Sequence, residues 1–418
     1  MIAVGDTLGR YDLLARLRAG GMATLYLGKR VGVAGFTRPV AIKVIHPHLA
    51  ASPRFVQMFV DEATLSAKID DPHVVHVEEL GEANGTYFLV MEYVDGASLA
   101  ELLRELGRRK RALSVELAVW VAAQVAAGLH AAHEATTETG EPLGIVHRDV
   151  SPHNVLLAFK GHVKLIDFGV AKARGRPGDT QTGSLRGKLA YMPPEQAFGR
   201  SVDRRADVYA LGVVLWEMLT MRRLFDADNE FALLERVRHP DICPPGQVAA
   251  GIPPALEQVV MAALAPDPER RPATAEELRA RLMAAVPEAS SKTAHDLSGV
   301  IAAIMPDTIK RARERLAEAL GEPLARSEAP AAPLAPDDEA LATMTVTMPD
   351  ATILFEREHE VEAPHAEATA RRARPRRAAP PMLVLGAAGA ALAIVVAMAV
   401  VIATRRSPVT HAPARAPS

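Results

Sequence analysis

Four short segments of the sequence carry side chains whose types and order could do chemistry together. They are Val40-Ala41-Ile42-Lys43, His147-Arg148-Asp149 followed by Asn154, Asp167-Phe168-Gly169, and Pro193-Pro194-Glu195. The carboxylate and amide oxygens among them are hard ligands of the kind that Mg²⁺ prefers. A lysine ammonium can neutralise the charge of a phosphate. Any one segment alone indicates little, and only the four together in one order point to a single site.

The apolar pattern predicts the elements that must position these residues. Residues 87–94 form an apolar, β-rich run that is typical of a buried strand. Residues 115–133 repeat apolar side chains at roughly helical spacing, and residues 211–219 are apolar almost all round, as in a fully buried helix. The chain from residue 11 to about 285 therefore reads as a folded α+β domain.

Together, in this order and at this spacing, the four segments resemble the eukaryotic-type protein kinase family. The stretches V-S-P-H-N-V-L-L and Y-M-P-P-E-Q are similar to a bacterial branch of it. The resemblance covers residues 11–285 and implies a two-lobed fold with a β-rich N-lobe and a helical C-lobe. It also implies transfer of the ATP γ-phosphate to Ser/Thr hydroxyls of protein substrates, with Mg²⁺ or Mn²⁺ as the metal. Tyrosine specificity is less expected, because the Ala-Ala-Arg-type catalytic loop of tyrosine kinases is absent.

The resemblance assigns a role to each catalytic side chain. Lys43 would hold the α- and β-phosphates, and Glu62, in a helical stretch farther along, would pair with it. A solvated helix charge is the alternative for Glu62, and its spacing from Lys43 argues against that. Asp149 would accept the proton of the substrate hydroxyl or orient that hydroxyl, while Asn154 and Asp167 would hold magnesium against the phosphates.

The nucleotide site is expected between a glycine-rich turn and the strand that ends at residues 91–94. By resemblance Met91 is the gatekeeper, and backbone groups of Glu92 and Val94 bond the adenine. The further nucleotide contacts that we expect are Leu17, Gly20 and Gly21. The turn departs from the family pattern, because Arg18 occupies the place of its first glycine, where backbone should approach the phosphates closely.

Two further departures suggest an exchange. The family usually has lysine two residues after the catalytic aspartate, where this chain has Ser151, and threonine where it has Lys188. We expect Lys188 to supply the cation near the γ-phosphate and Ser151 the hydroxyl; two unrelated losses in a decayed kinase are the alternative. Arg148 further predicts that Thr180 and Thr182 are phosphorylated in the activation loop.

Composition excludes several classes of protein. The 48 basic residues nearly balance the 50 acidic ones, so no global field favours nucleic acid as a partner. Cys243 is the one cysteine, which excludes an internal disulfide and a multi-thiolate zinc site.

Beyond the domain we expect a helical segment at 286–320 and a disordered Ala/Pro/Glu-rich linker at 321–381. Residues 382–404 carry no charge and are long enough for one transmembrane helix; a buried core helix is the alternative. Arginines precede this run, so the positive-inside rule places the kinase domain in the cytoplasm, anchored in the bacterial inner membrane. Residues 405–418 would be a short extracytoplasmic tail.

Two rival functions remain at this point. Arg18, Ser151 and Lys188 motivate a pseudokinase with little or no catalysis. The threonines of the linker motivate a phospho-adaptor scaffold that recruits a phosphothreonine-reading partner.

Small residues at four-residue spacing in 386–393 would let two membrane helices approach and form a homodimer.

Overall fold

The computed structural model of the protein describes residues 2–32, 37–168, 184–321 and 341–343. Its N-terminal part is a six-stranded antiparallel sheet with the strand order β1-β2-β3-β4-β6-β5. The strands are β1 Thr7–Leu8, β2 Tyr11–Ala19, β3 Ala23–Val31, β4 Thr37–Ile45, β5 Val77–Ala83 and β6 Thr86–Glu92. Lys43 on β4 lies opposite Leu25 of β3 and Leu89 of β6, so it occupies the middle of the sheet.

Two helices follow β4, the short α1 (Pro47–Ala50) and α2 (Pro53–Ser66). Helix α2 begins with a proline at its first position, where the missing N–H costs nothing. Its buried residues Phe59 and Ala63 pack against Ile45 and Leu89 of the sheet. Glu62 precedes Ala63, so this packing also fixes the backbone that carries Glu62.

The C-terminal lobe is built from helices around one large apolar core. Its helices are α3 Leu99–Arg108, α4 Val115–His133, α5 Ser184–Leu189, α6 Pro194–Ala197, α7 Arg205–Thr220, α8 Glu230–Arg238, α9 Pro245–Val248, α10 Pro254–Ala263 and α11 Ala275–Ala285. Helix α7 is buried from Ala206 to Thr220, as its nearly uniform apolar composition predicts. The two-lobed fold that the sequence predicts is thereby confirmed.

A small sheet lies beside these helices. It borders residues 134–154, the segment that corresponds to the catalytic loop of the family. It consists of β7 (Gly96–Ser98), β9 (Val155–Ala158) and β10 (Val163–Leu165) in the order β10-β9-β7. The catalytic loop connects α4 to β9, and the Asp-Phe-Gly segment follows β10. Both functional loops therefore begin or end on strands of the same small sheet.

Two helices continue the chain beyond this lobe, α12 (Ala294–Ile304) and α13 (Pro306–Leu320), after 3₁₀ turns at Pro268–Arg270 and Pro287–Ser291. The sequence predicts a helical segment at 286–320, and the structure has two helices there. Thr293 and Asp296 form a capping box that begins α12.

One part of the predicted linker has regular structure. Leu341–Thr343 form strand β11, which pairs antiparallel with β8 (Arg111–Leu113) of the C-lobe. The predicted linker at 321–381 thus includes one short strand, to which the backbone of β8 offers hydrogen bonds. The rest of the predicted linker lies outside the described residues.

The predicted membrane helix at 382–404 and the tail at 405–418 also lie outside the described residues. Within the described ranges, one helix, Val115–His133, has the length and hydropathy of a membrane span. Twelve of its residues are buried, among them Leu117, Val121 and Leu129, which lie in the main core of the C-lobe. Its apolar character is explained by that core.

Candidate active site

Lys43 joins two carboxylates from different parts of the chain. Its Nζ atom lies 2.6 Å from Glu62 Oε1 and 2.9 Å from Asp167 Oδ1. The Lys43 side chain is 19% exposed and that of Glu62 14%, so this pair is largely shielded from water. The structure thus brings together three residues that the sequence places far apart and that family resemblance assigns to one site.

The charges of this cluster stabilise one another. Burial by itself would lower the pKa of Lys43, but the charges of Asp167 and Glu62 outweigh it and raise the pKa above its ordinary value. The Lys43 ammonium in turn lowers the pKa of Asp167. Both groups therefore stay ionised at neutral pH.

The catalytic loop holds Asp149 and Asn154 side by side. Asn154 donates from Nδ2 to the Asp149 carbonyl at 2.8 Å and to Asp149 Oδ2 at 3.2 Å. The Asp149 side chain is 11% exposed, and Asn154 is buried. Arg148 and Asp167 both have left-handed backbone, with φ of 61° and 57°. Strained backbone of this kind persists only where surrounding contacts fix it, and it is concentrated at functional sites.

Asp207 of α7 holds the backbone of the catalytic loop through hydrogen bonds. It is fully buried and accepts hydrogen bonds from the N–H groups of His147 at 2.7 Å and Arg148 at 2.8 Å. His133 Nε2 lies 2.8 Å from Asp207 Oδ2, a distance at which the ring N–H donates to the carboxylate. Sequence reasoning missed His133, because its place at the end of α4 gave no distinguishing signal.

His147 packs beneath the Asp-Phe-Gly segment. Its ring centroid lies 4.5 Å from that of Phe168, and Nε2 donates to the Ile166 carbonyl at 3.1 Å. Nδ1 accepts from the Asp149 N–H at 3.3 Å. Both ring nitrogens of His147 are thus engaged by backbone, which supports a structural role for this ring.

Lys188, near the end of α5, lies close to Asp149 of the catalytic loop. Its Nζ atom lies 3.9 Å from Asp149 Oδ2, and its side chain is 40% exposed. Ser151 is 5% exposed, and its carbonyl accepts the Asn154 N–H at 3.0 Å. The structure therefore places a cation beside Asp149 although the usual lysine of the loop is absent.

Arg18 puts a second positive charge near the site. It lies at the end of β2 opposite Leu25 and is exposed. Its charge contributes to lowering the pKa of Asp167 and of His153 in the catalytic loop. Burial is the main reason that the pKa of His153 falls to about 4. Arg18, which replaces the first glycine of the family pattern, thus adds a cation where phosphates would bind.

The expected nucleotide contacts lie on β2, on the turn after it, and at or just after the end of β6. Leu17 lies near the end of β2, and Gly20 and Gly21 form the turn to β3. Met91 lines a small cavity together with Glu62 and Phe168. The Glu92 N–H donates to the His76 carbonyl at 3.0 Å, so this N–H is not available to a base.

Glu92 has a structural partner that sequence reasoning missed. Its Oε1 atom accepts from Lys164 Nζ at 2.5 Å and from the His76 N–H at 2.9 Å. The Glu92 side chain therefore stabilises the fold around it. Val94 follows two residues later, in the segment that connects β6 to β7.

The oxygen ligands fit a metal ion that is bound together with nucleotide. Across the ranges that the structure describes, no group of three or more His, Cys, Asp or Glu side chains could hold a metal on its own. Mg²⁺ at phosphoryl-transfer sites commonly takes one or two protein oxygens and completes its shell with phosphates and water. Asn154 and Asp167 supply that number of hard oxygens.

The fold and these loops match one family. A family model described as "Protein kinase domain" matches residues 11–283. The chain belongs to the protein kinase family, whose members use ATP and a divalent metal, in general Mg²⁺.

The comparisons with individual proteins agree on this family. The chain is 46% identical over 268 residues to "Tyrosine-protein kinase MasK" of Myxococcus xanthus, which covers 64% of this chain and 42% of that protein. It is 37% identical over 280 residues to "Serine/threonine-protein kinase PknB" of Mycolicibacterium smegmatis, covering 66% of this chain and 42% of that protein. For "Serine/threonine-protein kinase PrkC" of Bacillus subtilis the identity is 33% over 277 residues, with 66% and 40% covered.

Solved structures show the same likeness. The crystal structure of the Mycobacterium tuberculosis PknI kinase domain superposes with a TM-score of 0.52 at 26% identity, covering 68% of this chain and 100% of that chain. The chain spans only about two fifths of the length of the curated relatives above. The likeness therefore concerns the kinase domain.

Proposed function

We propose that the chain is a protein kinase that transfers the γ-phosphate of ATP to Ser/Thr hydroxyls of protein substrates. The observation that carries this proposal is the position of Lys43 Nζ, between Glu62 at 2.6 Å and Asp167 at 2.9 Å. In a nucleotide site that had lost its function, we would not expect a largely shielded ammonium to stay between two carboxylates. The family match and the kinases among the relatives support the same reading.

Each side chain has a proposed role in transfer. Lys43, oriented by Glu62, binds the α- and β-phosphates. Asp149 orients the substrate hydroxyl and accepts its proton as the oxygen attacks phosphorus. Asn154 and Asp167 hold Mg²⁺, or Mn²⁺ in its place, and such an ion neutralises charge on the phosphates. Leu17, Gly20, Gly21, Met91, Glu92 and Val94 form the proposed nucleotide contacts.

Lys188 is proposed to supply the cation that the family usually places two residues after the catalytic aspartate. Its distance of 3.9 Å from Asp149 supports this, because the transferring phosphate must lie close to the Asp149 carboxylate. Ser151, buried in the catalytic loop, would provide the hydroxyl of the exchanged pair.

Tyrosine transfer is the second candidate, because a relative that is 46% identical is named a tyrosine-protein kinase. We favour Ser/Thr, since relatives named serine/threonine kinases match as much of the chain. The test is incubation of the full chain with γ-labelled ATP and Mg²⁺, followed by phosphoamino acid analysis of the chain and of a general protein substrate. Label on serine or threonine supports the proposal, label on tyrosine alone supports the second candidate, and absence of label supports the pseudokinase or scaffold.

Regulation and location are further parts of the proposal. The apolar run at 382–404 would anchor the chain in a bacterial inner membrane with the kinase domain in the cytoplasm. Thr180 and Thr182 would be sites of autophosphorylation, and homodimers or a phosphothreonine-reading partner of the linker would follow from the sequence patterns. Membrane fractionation tests the anchor: a full chain that stays in the soluble fraction would overturn it.

A further inference from the structure

Helices α12 and α13 lie beyond the family match, which ends at residue 283. Helix α12 is firmly part of the C-lobe, because Leu297, Val300 and Ile301 are at most 1% exposed in its core. Ser298 Oγ also donates to the Phe159 carbonyl at 2.7 Å. At Gly161, whose φ is +90°, an added Cβ would lie 1.7 Å from the Ala294 carbonyl oxygen, so the start of α12 lies directly on this turn.

Helix α13 follows α12 and extends toward the N-lobe. Its half-buried residues Ile309, Ala312, Leu316 and Leu320 recur at helical spacing and form one face. Ile309 and Ala312 pack against the C-lobe core. The helix also contacts β7 and, in the N-lobe, β2. It therefore bridges the two lobes along the segment that connects them.

The two strands that α13 contacts border the proposed nucleotide pocket. Strand β2 carries Leu17 and leads into the turn at Gly20 and Gly21. Strand β7 begins directly after the connecting segment 93–95, which follows the proposed adenine contact Glu92 and includes Val94. A helix that touches both strands therefore lies beside the elements that carry the proposed nucleotide contacts.

Charges on α13 act on the same connecting segment. Burial raises the pKa of Asp95, and the positive charges of Arg313 and Lys160 oppose that shift. Burial likewise raises the pKa of Tyr93, against the charge of Arg315. Asp95 Oδ1 is buried and has no hydrogen-bond partner among the residues that the structure describes. The positive charge of Arg313 therefore favours the ionised form of the Asp95 carboxylate, whose buried Oδ1 atom lacks a hydrogen bond among the described residues.

We propose that α13 forms the outer wall of the nucleotide pocket, and that Arg313 and Arg315 are positioning residues that hold segment 93–95 for ATP. This inference rests on the proposed function, since it assumes that nucleotide binds against that segment. Removing the two cations loosens the backbone that receives the base while Lys43 and Asp149 keep their places. The effect is therefore on nucleotide affinity and only weakly on turnover.

The experiment compares four forms of the full chain in detergent: wild type, Arg313→Glu with Arg315→Glu, Arg313→Lys with Arg315→Lys, and Lys310→Glu. Lys310 is the matched control because it lies on the same helix, its side chain is 75% exposed, and the ion pair that the structure describes for it is within the helix. Leu316→Ala is added to weaken the packing of the helix without changing charge. The measurements are the Kd of fluorescent mant-ADP with Mg²⁺, KM for ATP, kcat and Tm.

We expect the double glutamate variant to bind mant-ADP at least about fivefold more weakly, in the usual range of coupling between sites. KM for ATP should rise in parallel, kcat should stay within about twofold, and the double lysine variant should recover most of the affinity. Leu316→Ala should shift Kd in the same direction. An unchanged Kd in the double glutamate variant, or an equal loss in Lys310→Glu, would overturn the inference. A wild-type chain that does not bind mant-ADP would instead overturn the proposed function.

Discussion

Lys188 Nζ lies 3.9 Å from Asp149 Oδ2, so the segment before Tyr191 delivers a cation to the catalytic loop. In the family pattern this cation comes from the catalytic loop itself, at the place of Ser151. In the proposed exchange, Lys188 would neutralise the transferring phosphate although the chain departs from the pattern at both Ser151 and Lys188. The exchange also makes the two departures one testable unit.

The first prediction concerns that unit. Lys188→Thr should lower kcat by about 10²–10³-fold, because a preorganised charge at the transferring group acts mainly in the transition state. Ser151→Lys together with Lys188→Thr should recover much of the loss, which gives a strongly non-additive cycle. Turnover of the wild type, both single variants and the double variant on one substrate measures this. Full turnover in Lys188→Thr would show that Lys188 is an ordinary loop residue.

The second prediction concerns acid stability. Burial, with the charges of Arg18, Arg223 and Arg104, lowers the pKa of His153 from 6.5 to about 4, so the folded protein keeps this ring neutral. The unfolded chain takes up the proton below about pH 6.5, and stability is therefore lost as pH falls from about 6.5 to 4. His153→Gln should lose less Tm than the wild type between pH 7 and pH 5. Parallel Tm profiles of the two proteins would contradict this account.

The third prediction concerns the buried ion pair of the C-lobe. Arg271 donates to both carboxylate oxygens of Glu195, at 2.7 and 2.8 Å, and both residues are buried. Arg271→Ala leaves an unpaired buried carboxylate and should lower the free energy of unfolding by about 3–5 kcal/mol. Urea denaturation measures this, and Arg270→Ala, next to it in a 3₁₀ turn, is the control. Equal stability of the two variants would show that the pair contributes nothing specific.

The sequence predicted best where a motif and a local pattern agree. Glu62 lies in a helical stretch, so its element, and with family resemblance its pairing with Lys43, could be stated beforehand. His133 could not be found in this way, because its partner Asp207 is brought to it only by the packing of α4 against α7. The path of α13 across the lobes likewise depends on contacts between segments distant in sequence, which spacing along the chain does not encode.

The central claim is that Asp149 acts on the substrate hydroxyl in a working phosphotransferase. The most direct measurement is kcat/KM for phosphorylation of one protein substrate by the full chain, its Asp149→Asn variant, and Glu138→Gln as a control at an exposed carboxylate. The account predicts that Asp149→Asn loses about 10²–10⁴-fold with Tm and mant-ADP binding retained, while Glu138→Gln matches the wild type. Near-normal kcat/KM in the Asp149→Asn protein would contradict it.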